Sequence, residues 1–163
     1  MTYTTKPLKT ATPSGLARLY DGSSTTPAVD GVHLWGSLEN LHGSGTCTVS
    51  SGVISLPSGY KYLLQASTAP GGSSGSYLDL HIQFYDEGSS AYIGTRGFNR
   101  GGLANEQDIY QDSSKDEAAR VWVDASSSAA SVSLRFPTLD GFNSIDSVQR
   151  WNGFSRCLVW RFT

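Results

Sequence analysis

Tyr77-Leu78-Asp79-Leu80-His81-Ile82-Gln83-Phe84-Tyr85 is the stretch that decides the fold class. Leu78, Leu80, Ile82 and Phe84 fall at every second position, with Tyr77, Asp79, His81, Gln83 and Tyr85 between them. Side chains on an extended chain alternate between two faces, so this period of two describes a strand with one apolar face in a core and one polar face outside it. A helical period of 3.6 does not sort these residues. The rest of the chain must cover that apolar face.

Working outward, short alternating runs recur between clusters of Gly, Ser and Pro. They predict strands at Val32–Trp35, Thr46–Val49, Val53–Leu56, Tyr60–Ser67, Ala91–Gly94, Arg120–Ala125, Ser131–Phe136 and Arg156–Phe162. Ser50-Ser51-Gly52, Pro57-Ser58-Gly59 and Asp86-Glu87-Gly88 supply turns, and Ala69–Ser76 a Gly/Ser connection. Thr95–Asn105 reads as a long Gly-Arg-Asn loop, with Arg96 and Arg100 placed to hydrogen-bond a neighbouring subunit. Ser114-Lys115-Asp116-Glu117 has the form of a capping box and predicts at most one helical turn. The last run has two partly apolar faces: Leu158, Trp160 and Phe162 on one, Cys157, Val159 and Arg161 on the other. Burial of one face in the core and the other against a second subunit would produce that pattern.

Composition agrees with an all-β domain. The 163 residues include 18 glycines and 11% aromatics, and a chain of this size buries roughly 70% of the surface that its unfolded form exposes. Charged residues are 16% and the net charge is −2, so no basic field draws nucleic acid or anionic lipid. No run approaches the roughly 20 apolar residues of a membrane-spanning helix, and Met1–Thr10 has no apolar core of a secretory signal. The chain is therefore expected to be soluble and made in the cytoplasm. Met1–Gly31 is rich in Thr, Ser, Pro and Gly, with Leu16, Leu19, Tyr20 and Val29 as scattered apolar anchors among few large apolar residues. It reads as an extended N-terminal arm held by neighbouring subunits, preceding a β-sandwich domain at 32–163.

Two segments resemble a known family. Gly52-Val53-Ile54-Ser55-Leu56-Pro57-Ser58-Gly59-Tyr60-Lys61-Tyr62-Leu63-Leu64 resembles the part of complement globular-head and tumour-necrosis-factor-like domains that runs Gly, apolar, Pro, Gly, Tyr and then an aromatic strand. Trp151-Asn152-Gly153-Phe154 resembles that family's closing Phe-Ser-Gly-Phe strand. The resemblance implies an antiparallel jelly-roll β-sandwich and a homotrimer. Similar trimeric jelly-rolls occur in tailed-bacteriophage virion proteins, as capsid decoration proteins and as tail-fibre knobs. The expected function is thus a virion structural protein that stabilises the capsid, contacting the major capsid protein through its arm; a knob binding a host receptor or glycan is the alternative. The expected trimer contacts are Cys157, Val159, Arg161 and Leu63. In that arrangement Tyr77–Tyr85 lies away from the three-fold axis, leaving Tyr77, Asp79, His81, Gln83 and Tyr85 for outer-surface contacts.

The residues that would name a chemistry do not assemble into a pattern. His33, His42 and Cys47 match no zinc spacing and lack a fourth ligand. Asp86, Glu87, Asp108, Asp112, Asp116 and Glu117 fit no calcium-loop spacing, and paired carboxylates for glycoside hydrolysis require a separation that sequence does not supply. Gly71-Gly72-Ser73-Ser74-Gly75 spells Gly-x-Ser-x-Gly inside the Gly/Ser connection rather than as a strand-to-helix elbow, and there is no phosphate loop with its Lys. No enzyme activity, cofactor or metal is expected. Tyr77, Tyr85, Tyr92 and Tyr110 have the side chains to stack on sugar rings or to line an interface. Cys47 and Cys157 lie in strand-like runs, either as free buried thiols or as one bridge.

Overall fold

A computed structural model of the chain describes residues 12–21, 28–68, 70–71, 77–102, 118–137, 139–140, 147–148 and 155–163. The fold is all-β and antiparallel. Its strands are β1 (Gly15–Asp21), β2 (Trp35–His42), β3 (Thr48–Ser50), β4 (Val53–Leu56), β5 (Tyr60–Ser67), β6 (Pro70–Gly71), β7 (Tyr77–Asp86), β8 (Ala91–Gly102), β9 (Ala119–Ala125), β10 (Ala130–Arg135), β11 (Leu139–Asp140), β12 (Ser147–Val148) and β13 (Arg156–Phe162).

One hydrogen-bonded path runs β2-β1-β13-β5-β9-β8-β7-β10-β4-β3, with β11 beside β7 and a separate β6–β12 pair. The path has two halves, β2-β1-β13-β5-β9 and β8-β7-β10-β4-β3. Thr95↔Arg120 is the single Cα pairing between β8 and β9, and there the halves join. At that seam Gly94 has φ +73, and a Cβ on it would lie 2.2 Å from the Arg120 carbonyl oxygen. Only glycine allows both the backbone angle and the approach. The sheet bends here and wraps round one core, bringing its end strands β2 and β3 together. The expected pair of separate sheets is thus one continuous, barrel-like sheet.

The core draws Ala17, Leu19, Tyr62, Leu64, Ala66, Val121, Cys157 and Val159 from the first half and Ile54, Leu56, Ile82, Phe84, Val132 and Leu134 from the second. Ile82 and Phe84 are sealed from solvent, as the alternation of the opening stretch requires. The side chains of Tyr77, Leu78, Asp79 and Leu80 lie outside the described residues. The β3–β4 hairpin has a two-residue loop, Ser51-Gly52, with φ of 49 and 80. Both central residues are left-handed, the geometry whose twist matches that of flanking strands.

Three expectations are corrected. Gly15–Asp21, inside the expected arm, is an interior strand between β2 and β13, because alternation puts Ala17 and Leu19 in the core; small Ala17 was not counted as an anchor. The rest of that arm, 1–11 and 22–27, lies outside the described residues. Thr95–Gly102 is not loop but the second part of the 12-residue β8, paired with β7 across a bulge between Ile82 and Phe84. Val32–Trp35 is not a strand: Val32 makes one isolated bridge to Arg135, and β2 starts at Trp35. The capping box at Ser114–Glu117 and the Trp151–Phe154 motif lie outside the described residues.

Candidate functional site

The two halves present different outward faces. On the first half the residues between the core positions point out, and the registers line them up. Leu16 pairs with Trp160, Trp160 with Leu63, and Leu63 with Trp122, a continuous row across β1, β13, β5 and β9. Beside it Leu158 lies between Arg18 and Gln65, and Gln65 faces Arg120. On the other side Phe162 faces Lys61, which faces Asp124. Directly opposed side chains in antiparallel strands sit about 5 Å apart, so these residues form one surface. Leu16, Leu63, Leu158, Trp160 and Phe162 are half-buried. Trp122 is 64% exposed, with the Phe162 ring 5.3 Å from its own.

Trp122 separates two grooves. One, of about 460 Å³, is lined by Leu63, Gln65, Gly94, Thr95, Arg120 and Val121. The other, of about 640 Å³, lies between β8, β9 and the β9–β10 turn and includes Asp86, Ile93, Val123, Asp124, Ser128 and Ser131. Arg120 donates from Nε to Gln65 Oε1 at 3.2 Å, and its backbone N–H donates to Thr95 Oγ1 at 3.1 Å. Among the described residues no carboxylate pairs with the Arg120 guanidinium. Asp124 forms an exposed ion pair with Lys61 at 3.4 Å, and its carboxylate accepts from Ser126, whose bond holds the carboxyl below its ordinary range.

The outward face of the second half is polar and partnered. Arg135 donates to both oxygens of Glu87 at 3.0 Å, and its guanidinium lies 3.8 Å from the centre of the Tyr85 ring. Ser133 Oγ also donates to Glu87. Burial alone would raise the Glu87 pKa, but the bonds from Ser133 and Arg135 outweigh it and leave the carboxyl below the usual range. Tyr92 packs edge-on against Tyr85 at 5.2 Å and donates to Asp30; burial first, then that bond, raises its phenol. Asp30 in turn accepts on its carbonyl from Arg135 and donates its N–H to Phe136 at 2.9 Å. This network ties the Ala28–His33 approach to β10.

The sequence-predicted residues divide between these places. Cys157 and Val159 are fully buried in the chain's own core, so they are not available to another subunit. The face of β13 turned outward is the other one, Leu158, Trp160 and Phe162, because the register with β5 places Cys157 opposite buried Ala66. Arg161 is held at the rim, donating to the carbonyls of Ser44, Gly45 and Ser14 at 3.3, 3.1 and 3.2 Å and stacking on Tyr60. Leu63 does lie on the outward face. Tyr85 belongs to the satisfied network, Gln83 donates to the Gly94 carbonyl at 3.1 Å across the bulge, and His81 is half-buried on the same strand. The side chains of Tyr77, Asp79 and Arg100 lie outside the described residues; Arg96 is exposed on β8.

His33 packs in the core against Trp35 and Phe136, while His42 is exposed at the end of β2. Cys47 and Cys157 are free and buried, Cys47 pushed up to about 11 by burial and Cys157 well above its ordinary value for the same reason. Burial thus disfavours the thiolate, the reactive form, at both. Among the described residues no three His, Cys, Asp or Glu side chains gather in one place. Trp122 was missed as a site residue. Its signal was present: it occupies the polar side of an alternating strand, between Arg120 and Asp124.

No family model matches this chain, and no curated protein matches it in sequence.

Proposed function

We propose that the chain is a non-enzymatic virion structural protein of a tailed bacteriophage, a homotrimeric jelly-roll module that decorates and cements the capsid. The observation that carries the self-assembly is the outward apolar face of β1, β13 and β5: Leu16, Leu158, Trp160 and Leu63 in adjacent cross-strand positions. A contiguous apolar surface on a domain that already has a full core is the mark of a protein contact. The strand order supports the jelly-roll. The last strand, β13, lies between β1 and β5, and β10 lies between β7 and β4, as when a long antiparallel hairpin is rolled up. The Gly52–Leu64 resemblance falls on β4 and β5, at the centre of the proposed module.

In this reading the apolar strip joins the three copies, and the segment before β1 reaches the major capsid protein. Capsid occupancy tests the second part. Deleting Met1–Ala11, which spares β1, leaves a folded oligomer that no longer attaches to particles lacking the wild-type protein. Unchanged occupancy would remove the arm from the account.

A tail-fibre knob that binds a receptor or glycan is the second reading, favoured by the exposed indole of Trp122. Tyr85 does not serve it, since Arg135 covers one ring face and Tyr92 the edge.

A further inference from the structure

We infer that Trp122, with Arg120 and Gln65 beside it, is a saccharide site, and that its ligand is a chain in which a carboxylate-bearing sugar adjoins a neutral one. The inference goes beyond the virion reading and holds for either location on a particle. A pyranose ring has one face of C–H bonds and an equator of hydroxyls. It therefore needs a flat apolar platform with hydrogen-bonding groups around the edge, which is how aromatic side chains with polar neighbours work at wet sites.

Trp122 provides the platform. It is 64% exposed, backed on one side by Phe162, and stands as the ridge between two grooves. An elongated ligand crossing the ridge has one unit in each. The groove on the Arg120 side offers a guanidinium that no described carboxylate neutralises, together with the Gln65 amide, while the Thr95 hydroxyl is spent on the Arg120 backbone. Arg presents its N–H groups in a fixed fork suited to a carboxylate, and Nε is already fixed on Gln65, which pre-orients the fork. Charge complementarity thus assigns the acidic sugar to this groove.

The groove on the other side has the opposite character. Asp86, Asp124, Ser128 and Ser131 supply its polar lining, beside apolar Ile93, Val123 and Val132. Carboxylates accept from hydroxyls and repel anions, so the unit here is neutral. The same feature argues against single-stranded nucleic acid. Stacked bases on an aromatic ring require a cationic track for successive phosphates, and here, among the described residues, Arg120 beside the indole is followed by two aspartates, with Lys61 already on Asp124.

The test uses the full chain and three probes: a hyaluronan hexasaccharide, which alternates uronate and neutral units, chitohexaose as the neutral control, and an oligothymidylate. Calorimetry or ligand-observed NMR should find binding of the first, weaker as salt rises, and at least tenfold weaker binding of the second. Trp122→Ala should abolish hyaluronan binding, and Trp122→Tyr should restore part of it. Arg120→Gln should bring the two saccharides to within about threefold of each other. Circular dichroism verifies that each variant is folded. The inference is overturned if hyaluronan does not bind, if Trp122→Ala binds it as well as the wild type, or if oligothymidylate binds more tightly than hyaluronan. It is equally overturned if Trp122→Ala dissociates the oligomer while no saccharide binds, since the indole would then belong to a subunit contact.

Discussion

The outward faces of the two halves use the same kinds of side chain in opposite ways. On β7 and β10 the aromatic ring of Tyr85 is stacked under Arg135, Arg135 is held by Glu87, and Tyr92 donates to Asp30, so the groups satisfy one another. On β13, β5 and β9 the aromatic rings of Trp160 and Trp122 continue an apolar row, and among the described residues the Arg120 guanidinium is matched to a neutral amide. The first arrangement is complete within one chain. The second has unspent capacity: apolar area that water covers poorly and a cation with free donors. The half that carries β13 thus presents surface for a partner, and the half that carries β10 contributes stability.

The seam between the halves gives the largest expected effect. Gly94→Val forces a side chain into a left-handed backbone angle and against the Arg120 carbonyl, and should cost about 3 kcal/mol or more. Urea denaturation measures it; a loss below about 1 kcal/mol would mean that the seam opens easily and that the halves are not rigidly joined.

Next comes the satisfied face. Arg135→Ala leaves Glu87 partly buried without its cation and uncovers Tyr85, with an expected loss of about 1–3 kcal/mol. Acid weakens the same network. Because Glu87 has its carboxyl held below the ordinary value, near 4.3, the folded state binds fewer protons than the unfolded chain. The stabilisation is complete above that ordinary value and is lost as pH falls through the lower, folded value. The difference in denaturation midpoint between wild type and Arg135→Ala should accordingly shrink between about pH 6 and about pH 3. A constant difference would assign the contribution of Arg135 to its stack on Tyr85 alone.

The smallest effect is expected on the other face. Trp122→Ala removes a larger side chain than Arg135→Ala does, yet should change stability by less than about 0.5 kcal/mol, because the indole is mostly in solvent. A loss above about 1.5 kcal/mol in the monomer would erase the contrast between the faces.

How much of this could be read from the residues varies by strand. β4, β5 and β13 fall at the predicted boundaries, and β7 extends one residue further, because each pairs β-branched, aromatic or Leu positions with clear turn residues. β8 reads as loop beyond Gly94 in the sequence since Gly97, Gly101 and Gly102 weaken the local signal; pairing with β7 in the same hairpin overrides that preference. β1 is hard to tell from an arm because its inward positions include Ala17, and β2 gives little sequence signal because Gly36, Ser37, Glu39 and Asn40 are exposed on a strand at the end of the path. The apolar character of both faces of β13 was legible, but not which face is inward. Only pairing with β5 and β1 settles that, by setting Cys157 against Ala66 and Leu19. Likewise Arg120 and Trp122 were visible as a strand, while the grooves on either side of the indole depend on the bend at Gly94.

The central claim is that the outward apolar strip of Leu16, Leu158, Trp160 and Leu63 assembles copies of the chain. Sedimentation equilibrium of the full chain and of Trp160→Glu tests it most directly. The account predicts three times the 17.5 kDa chain mass for the wild type and the single-chain mass for the folded variant. A wild type that stays at 17.5 kDa at high concentration, or a Trp160→Glu chain that assembles as the wild type does, would contradict it.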